Sequence, residues 1–307
     1  MKISIIGAAG NVGSNAAFNI AIHKVTDELV MIDAFSPDKL NQYVYDLQSA
    51  VTGMDIQVQA GNYPDLARSD IVIVAAGSAD VAAPMGALPQ NLPLLRDFAA
   101  QIKRFCPGAV VITATNPVCP LNYAMYLLTG FDRRRLIGFS ANDSVRFRMF
   151  LGEALSIPSS RIEADVIGEH GNSQVLLFSS VKVDGKKFPV PEEIQYKVLE
   201  QVANVFNALE DFRMKTGRTS AWTTAMGLAA LCRAIAHDTR RKMPCSVVLD
   251  GEYGYRRLSM SVAVTLGREG VLEIEQKILE PAEREGLAHS VETLRPAMKY
   301  VEDFVRK

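Results

Sequence analysis

Short apolar runs alternate with helix-like segments through the first half of the chain, and this alternation restricts the fold most strongly. Strands joined by crossover helices form a parallel sheet, and helices on both faces of the sheet bury both sides of each strand. Such strands are nearly continuous in Val and Ile. Five runs match this pattern and are predicted as strands: Ile3–Ile6, Glu28–Ile32, Ile71–Ala75, Ala109–Thr113 and Leu136–Gly138. They predict an α/β fold with a doubly wound parallel sheet.

The second half has a different pattern, which predicts a mixed α+β structure. Two Asp-Gly pairs lie between β-like runs and favour antiparallel hairpins. These are Asp184-Gly185 between Val181–Val183 and Lys187–Val190, and Asp250-Gly251 between Ser246–Leu249 and Leu258–Thr265. Apolar residues at three- and four-residue spacing predict helices from 194 to 212 and from 287 to 301, the latter kinked or restarted at Pro296. We therefore predict two domains, residues 1–140 and 141–307.

Composition limits the classes of partner. The net charge of −1 gives no basic field for nucleic acid or an anionic membrane. The four cysteines lie far apart without a C-x-x-C pair, which argues against a zinc or redox site and favours a reduced, cytoplasmic protein: Cys106, Cys119, Cys232 and Cys245. The chain starts at once with a strand, so we expect no signal peptide. The apolar run Ala221–Ala236 is too short to span a bilayer and is predicted as a buried helix.

Three glycines directly after the first predicted strand predict a phosphate-binding turn. Gly7, Gly10 and Gly13 allow a tight turn, close approach of a pyrophosphate, and close packing of strand and helix. The helix that follows offers free N–H groups and a positive dipole end. Asp33, at the end of the second strand, can accept hydrogen bonds from ribose hydroxyls and would repel a 2′-phosphate, so NAD is favoured over NADP. The alternative role for Asp33 is to cap a turn.

Four polar residues are candidates for chemistry. His170 lies between glycines in GEHGN, where the flexible backbone can shape a loop and expose the ring. Asp143 and Arg146, in NDSVRFR, lie on one face of a helix, which is by default the arrangement of a surface salt bridge. Asn116 follows a strand at the edge where open α/β sheets bind ligands, although Asn-Pro also starts turns.

These segments together carry a family resemblance over essentially the whole chain. The motifs IIGAAGNVG, ITATNPV, NDSVRFR, IGEHGNSQV and LDGEYG…VAVTLGREGV, with Asp33, occur in the order and at the spacing of the L-lactate/malate dehydrogenase family. The chain resembles that family, and GEHGNSQ also resembles its L-2-hydroxyisocaproate dehydrogenase branch. The resemblance implies a Rossmann domain, a mixed α+β substrate domain, and hydride transfer between NAD and a small 2-hydroxy or 2-oxo acid.

The resemblance also implies roles for individual residues. His170 would exchange the substrate proton, Asp143 would orient its ring and raise its pKa, and Arg146 would bind the substrate carboxylate through two hydrogen bonds. Asn116 would lie near the substrate oxygen and the nicotinamide, and Thr219 would line the pocket. Contacts with NAD are implied for Gly7, Gly10, Asn11, Val12, Gly13, Asp33, Ala76, Gly77 and Asn116. Family members form dimers or tetramers, so we expect a homodimer or homotetramer and no metal.

The loop after the third predicted strand departs from the family pattern. Family members carry an Arg there that closes over the substrate, and an earlier residue in the loop selects malate or lactate. This chain reads PMGALPQN and has no Arg or Lys between Arg68 and Arg96. Such a loop offers nothing to a second carboxylate, so a monocarboxylic substrate is favoured. Smaller departures are Cys119 for Asp in TNPVD, Asn142 for Leu before Asp143, and Asn172 for Asp after GEHG.

Several accounts of the loop are compatible with the sequence. The enzyme takes an unusual 2-hydroxy acid, with Arg218 or a partner subunit supplying charge, or it acts on a substrate that needs less polarisation, or it is slow or inactive. The first interpretation is an NAD-dependent 2-hydroxyacid dehydrogenase. The alternative is an NAD(H)-binding sensor that has lost turnover. An NAD-dependent glycosidase ranks lowest, because those proteins are longer and use Cys and His as metal ligands.

Overall fold

A nine-stranded sheet forms the centre of the computed structural model, which describes residues 1–78, 85–216 and 221–307. Six of its strands are parallel: β1 Lys2–Ile6, β2 Glu28–Ile32, β3 Gln57–Gly61, β4 Ile71–Val74, β5 Val110–Thr113 and β6 Leu136–Gly138. Strand β1 pairs with both β2 and β4, so the chain winds outward from β1 in two directions. The predicted doubly wound, Rossmann-type sheet is confirmed.

Helices cover both faces of these strands. Every residue of β4 and β5 is buried, on both sides of the pleat. The helices of this half are α1 Asn11–Ile22, α2 Pro37–Ala50, α3 Leu88–Phe105 and α4 Val118–Thr129. All five predicted strands are present, but the prediction missed β3. Its sequence QVQAG lies at the sheet edge and buries only Val58, so it lacks the continuous apolar pattern used to recognise the others.

The second half extends the same sheet with antiparallel strands. Its elements are α5 Asn142–Leu155, β7 Ile162–Glu163, β8 Val166–Ile167, β9 Val175–Leu176, β10 Lys182–Val183, β11 Lys186–Lys187, α6 Glu192–Thr216, α7 Trp222–Ala236, β12 Lys242–Asp250, β13 Arg256–Gly267, β14 Gly270–Ile274 and α8 Pro281–Val305. Strand β12 joins β6 where Ser246 pairs with Gly138. A Cβ on Gly138 would lie 2.8 Å from the Ser246 Cβ, so the glycine permits this junction.

The predicted hairpins and helices of this half are present, with different bounds. Asp184 and Gly185 both have positive φ, as a tight hairpin turn requires, and connect β10 to β11. The second predicted pair is the long ladder of β12 with β13. Helix α8 continues through Pro296 as one element. In the described parts of the chain, no helix has both the length and the apolar character needed to cross a membrane.

Candidate active site

The turn after β1 is built around close backbone contacts. Gly7 has φ +86°, and a Cβ there would lie 2.5 Å from the backbone nitrogen of Ala76. A Cβ on Gly13 would lie 2.2 Å from the carbonyl oxygen of Gly7. Larger residues would force strand, turn and helix apart. The glycines therefore bring the start of α1 and the end of β4 together at one edge of the sheet.

The first turn of α1 has the properties of a phosphate site. Its N-cap is Gly10, which has no side chain to cap the helix, and the first turn carries no acidic residue. The backbone N–H groups of Asn11, Val12 and Gly13 are at this end of the helix, where the macrodipole favours an anion. A pyrophosphate therefore fits the residues that are present.

Asp33 lies beside this turn at the end of β2. Its carboxylate accepts hydrogen bonds from the backbone N–H groups of Ala9, Phe35 and Ser36, at 3.0, 3.1 and 3.1 Å. The turn-capping role therefore exists in the structure. It fixes the carboxylate beside the glycine turn, and two carboxylate oxygens retain capacity for further hydrogen bonds from a ribose.

A buried asparagine connects the two loops at the edge of the sheet. The Asn91 Oδ1 accepts from the Ser78 N–H at 2.7 Å, and its Nδ2 donates to the Asn116 carbonyl at 2.8 Å. Gly77 lies against Thr115, where a Cβ would be 2.4 Å from the Thr115 Cγ2. No role was predicted for Asn91 from the sequence. The available signal was that Asn91 is a polar residue on an otherwise apolar face of α3, since a buried amide needs hydrogen-bond partners.

Three candidate catalytic side chains meet although they come from distant parts of the chain. The His170 Nδ1 is 2.5 Å from the Asp143 Oδ2, and the Arg146 guanidinium is 3.6 Å from the other Asp143 oxygen. The Asp143 side chain is 2% exposed, whereas His170 and Arg146 are 15% and 18% exposed. The acid is thus buried behind two groups that remain partly exposed. Because Asp143 holds Nδ1, Nε2 is the ring nitrogen available for proton exchange.

The electrostatics of the cluster favour a protonated imidazole. Burial lowers the pKa of His170, but the charge and hydrogen bond of Asp143 outweigh burial and raise the pKa above its ordinary value. The positive charge of Arg146 opposes this rise. Burial also lowers the pKa of the Arg146 guanidinium, which remains cationic because an arginine starts far above neutral pH.

The loop that carries His170 is held on two sides by residues that were not predicted as site residues. We call residues 168–173 the histidine loop. Gly168, with φ +92°, exchanges backbone hydrogen bonds with Ser261 of β13 at 2.9 and 2.8 Å. The Glu169 N–H donates to the Ser290 Oγ of α8 at 2.7 Å. These serines are buried and distant in sequence, so local patterns give no signal for them.

The other residues considered in the sequence analysis lie at different places relative to this cluster or outside the described residues. Asn116 is exposed at the carboxyl end of β5, where it was placed by the sequence. The loop after β4 is called the cation-free loop, because residues 69–95 contain no Arg or Lys. Thr219, Arg218 and residues 79–84 of this loop lie outside the described residues. The Arg96 guanidinium is held by Phe304 of α8, because it donates to the Phe304 carbonyl at 2.6 Å and stacks on the Phe304 ring. In the described ranges, no group of three or more metal-binding side chains lies together.

A Rossmann sheet with a glycine turn, an acid at the end of β2 and an Asp–His–Arg cluster defines the class of NAD-dependent dehydrogenases. Comparison with known families identifies the particular family within this class. Residues 1–138 match the lactate/malate dehydrogenase NAD-binding domain, and residues 142–305 match the α/β C-terminal domain of the same family. The chain therefore belongs to the lactate/malate dehydrogenase family.

Individual relatives agree over nearly the full length. The malate dehydrogenase of Natronomonas pharaonis is 36% identical over 300 residues, which cover 95% of this chain and 97% of that protein. The malate dehydrogenase structure from Aeropyrum pernix superposes with a TM-score of 0.89 at 30% identity, covering 97% of both chains. That from Cryptosporidium parvum gives 0.90 at 26% identity, covering 98% of this chain and 99% of the other.

Family membership confirms the general class of activity and the cofactor. The chain is an NAD-dependent dehydrogenase of 2-hydroxy acids, related to lactate and malate dehydrogenases. NAD is the cofactor, in agreement with the glycine turn and Asp33.

Proposed function

We propose that this protein transfers a hydride reversibly between NAD and C2 of a 2-hydroxy acid that carries a single carboxylate. The observation that carries the proposal is the cluster of His170, Asp143 and Arg146. It combines a proton-exchanging group with a guanidinium beside it, which is what oxidation of a hydroxyl next to a carboxylate requires.

His170 acts as the general base in the oxidative direction. Its Nε2 takes the proton of the C2 hydroxyl while the hydride on C2 leaves, so the products are a 2-oxo acid and an imidazolium. Asp143 holds the ring through Nδ1 and stabilises the imidazolium, consistent with the raised pKa of His170. In the reverse direction the imidazolium returns the proton to the carbonyl oxygen.

Arg146 binds the substrate carboxylate through two parallel hydrogen bonds. A guanidinium can do this because its donors form a planar fork, and partial burial strengthens the interaction by excluding water. The exposed Asn116, at the carboxyl end of β5, contacts the substrate oxygen and the nicotinamide. Thr219 stays a proposed pocket residue on the basis of the family resemblance.

The residues proposed to hold NAD surround the turn after β1. When bound, NAD supplies the hydride acceptor. The pyrophosphate is held at the N-terminus of α1, and Asp33 binds the adenosine ribose. The residues at the turn and at the end of β4 are Gly7, Gly10, Asn11, Val12, Gly13, Ala76 and Gly77.

The preference for a single carboxylate rests on charge. Residues 69–95 contain no Arg or Lys, so this segment provides no cation for a second carboxylate of the substrate. An unpaired carboxylate in a closed site is strongly disfavoured. Because the relatives named above are malate dehydrogenases, oxaloacetate is the decisive substrate for testing this preference.

A panel of 2-oxo acids tests the proposed function. NADH oxidation would be measured with pyruvate, 2-oxoisocaproate, phenylpyruvate and oxaloacetate, and with NADPH as the cofactor control. We expect turnover of a monocarboxylic acid with NADH, slowed by about a hundred- to a thousandfold if no donor replaces the loop arginine. Strong oxaloacetate turnover would contradict the charge argument, and a preference for NADPH would contradict the role of Asp33.

The cation-free loop also favours a second candidate function, that of an NAD(H)-binding sensor. A sensor would retain the glycine turn and Asp33 while losing the group that polarises the substrate. The sensor hypothesis predicts tight NADH binding without turnover of any 2-oxo acid in the panel. The Asp143–His170 contact has no use in a sensor, so we favour the dehydrogenase.

We further propose that the protein forms a homodimer or homotetramer. Helices α1 and α5 both pack against α7, and all three expose large apolar side chains: Phe18, Ile22, Val145, Met149, Trp222 and Met226. A second copy of the chain would remove this surface from water. Sedimentation velocity is expected to show a dimer or tetramer. Trp222→Glu, which places a charge at a side chain that is 80% exposed, is expected to weaken the association of the subunits. A monomeric wild-type protein would refute the proposal.

A further inference from the structure

The Glu169 carboxylate is folded into the histidine loop. The loop joins the antiparallel strands β8 and β9, whose pairing of Ile167 with Val175 holds the two ends of the loop together. Within the loop, the Glu169 Oε2 accepts hydrogen bonds from the Ser173 N–H at 3.1 Å and from the Ser173 hydroxyl at 2.5 Å. One carboxylate oxygen thus links the residue before His170 to the residue three positions after it.

The backbone of the loop passes directly over this carboxylate at Gly171. A Cβ on Gly171 would lie 2.8 Å from the Glu169 Cδ and 3.0 and 3.1 Å from its two oxygens. A residue with a side chain would push the carboxylate away, so the glycine lets the chain fold closely around it. The backbone of residues 169–173 is thus shaped around the Glu169 side chain.

A buried serine of α8 attaches this closed loop to the rest of the protein. The Ser290 Oγ accepts from the Glu169 N–H at 2.7 Å and lies 3.3 Å from the Ser173 Oγ. Ser290 is fully buried, so its position is fixed by the packing of α8. Glu169, Ser173 and Ser290 therefore form one hydrogen-bonded group that holds the chain on both sides of His170.

The Glu169 carboxylate also acts on the charge of the imidazole. Burial lowers the pKa of His170, whereas the charge and hydrogen bond of Asp143 raise it. Arg146 opposes the rise, and the charge of Glu169 adds a smaller one. The residues of β13 and α8 that hold the loop are serines and carry no charge. Among the described residues, the charges that act on the imidazole therefore come from α5 and from the loop itself.

We propose that Glu169 is a positioning residue for catalysis: its carboxylate closes the histidine loop and thereby holds the His170 imidazole at a fixed distance from Asp143 and the substrate. This inference rests on the proposed function, in which His170 exchanges the proton. The hydrogen bonds of Glu169 and its charge have separable effects, because a carboxamide can replace the acceptor oxygen but not the charge.

Two substitutions of Glu169 separate these effects. Glu169→Ala removes both the acceptor and the charge, and we expect kcat to fall about ten- to a hundredfold, since a displacement of about 1 Å can cost about a hundredfold. Glu169→Gln keeps an acceptor of the same reach and fills the same space if Ala destabilises the fold. At low pH, where the imidazole is protonated, its kcat for 2-oxo acid reduction is expected to stay near the wild-type value. The KM for NADH is expected to stay unchanged in both variants.

The pH profile distinguishes positioning from a general loss of stability. The charge of Glu169 raises the pKa of His170, so its removal lowers this pKa. In Glu169→Gln, the pH at which 2-oxo acid reduction declines is therefore expected to move down. A purely structural role for Glu169 would lower the melting temperature without moving this profile or kcat, and that result would overturn the inference.

A double-mutant cycle tests whether Glu169 acts through Ser173. Ser173→Ala removes the hydroxyl that donates to the carboxylate, so a smaller loss of kcat than in Glu169→Ala is expected. The double variant is expected to lose no more than Glu169→Ala alone, because both substitutions remove the same contact. Losses that multiply would show that the two residues act independently and would contradict closure of the loop by their contact.

Glu283 is the matched control. Its carboxylate accepts hydrogen bonds from the Ser179 N–H at 2.9 Å and from the Ser179 hydroxyl at 2.7 Å, so it repeats the arrangement of Glu169 and Ser173 outside the histidine loop. The same substitutions at Glu283 are expected to lower the melting temperature and to leave kcat and the pH profile as in the wild type. Equal kinetic effects of the Glu169 and Glu283 variants would overturn the inference. An active His170→Asn variant would instead overturn the proposed function.

Discussion

His170→Asn is expected to lower the rate of 2-oxo acid reduction by about a thousandfold, which is typical for loss of a general acid–base group. Asn can replace one hydrogen bond to Asp143 but cannot exchange a proton. NADH binding is expected to persist, because the glycine turn and Asp33 are separate from the Asp143–His170 pair. Steady-state kinetics and NADH fluorescence titration measure the two effects independently.

The pH dependence of the wild-type enzyme also tests proton exchange by His170. Reduction needs the imidazolium, so its rate is expected to fall as pH rises through the raised pKa of His170. Oxidation needs the neutral imidazole and is expected to rise over the same range. Asp143→Asn removes the charge that raises this pKa, so both transitions are expected at lower pH. The exposed His289 provides the control His289→Asn. Near-wild-type turnover by His170→Asn would contradict the assignment.

Arg146→Ala is expected to lower kcat/KM for the 2-oxo acid by about a thousandfold. Loss of one partner from a desolvated, hydrogen-bonded charge pair costs about 2–5 kcal/mol, and each 1.4 kcal/mol corresponds to about tenfold. Arg146→Lys is expected to recover only part of this, since an ammonium cannot form two parallel hydrogen bonds with a carboxylate. Steady-state kinetics with varied 2-oxo acid would measure both variants.

Arg148→Lys is the matched control for Arg146. Arg148 lies on the same helix, α5, but its guanidinium donates to the Ala164 carbonyl at 3.2 Å and not toward Asp143. Its replacement is expected to change stability without changing kcat/KM. If Arg146→Ala and Arg148→Lys had the same kinetic effect, substrate anchoring by Arg146 would be refuted.

The position of His170 depends on hydrogen bonds to its ring and to the backbone before it. Asp143 holds the ring, whereas Ser261 and Ser290 hold the backbone of Gly168 and Glu169. A loop held from several elements loses little further entropy when substrate binds. In the proposed mechanism, this preorganisation would let the His170 imidazole exchange a proton at a fixed distance.

Local patterns predicted much of the first half, including the glycine turn after β1. Continuous apolar runs predicted five of the six parallel strands, while the edge strand β3, with one buried residue, carried too weak a pattern. The three glycines could be recognised because a tight turn restricts φ and leaves no room for Cβ. For α8, a restart at Pro296 was one of the two predicted alternatives and does not occur, since one helix continues through this residue.

The sequence by itself determined the parallel half of the sheet, the glycine turn with Asp33 beside it, and the shared helix face of Asp143 and Arg146, because these depend on backbone preferences and short periodic spacing. The tertiary structure alone decided that Asp143 meets His170 across 27 residues of chain, that β12 attaches to β6 through Ser246 and Gly138, and that Ser261 and Ser290 hold the histidine loop. Contacts of this kind result from burial and packing of the whole chain. They leave no local pattern from which they could be predicted.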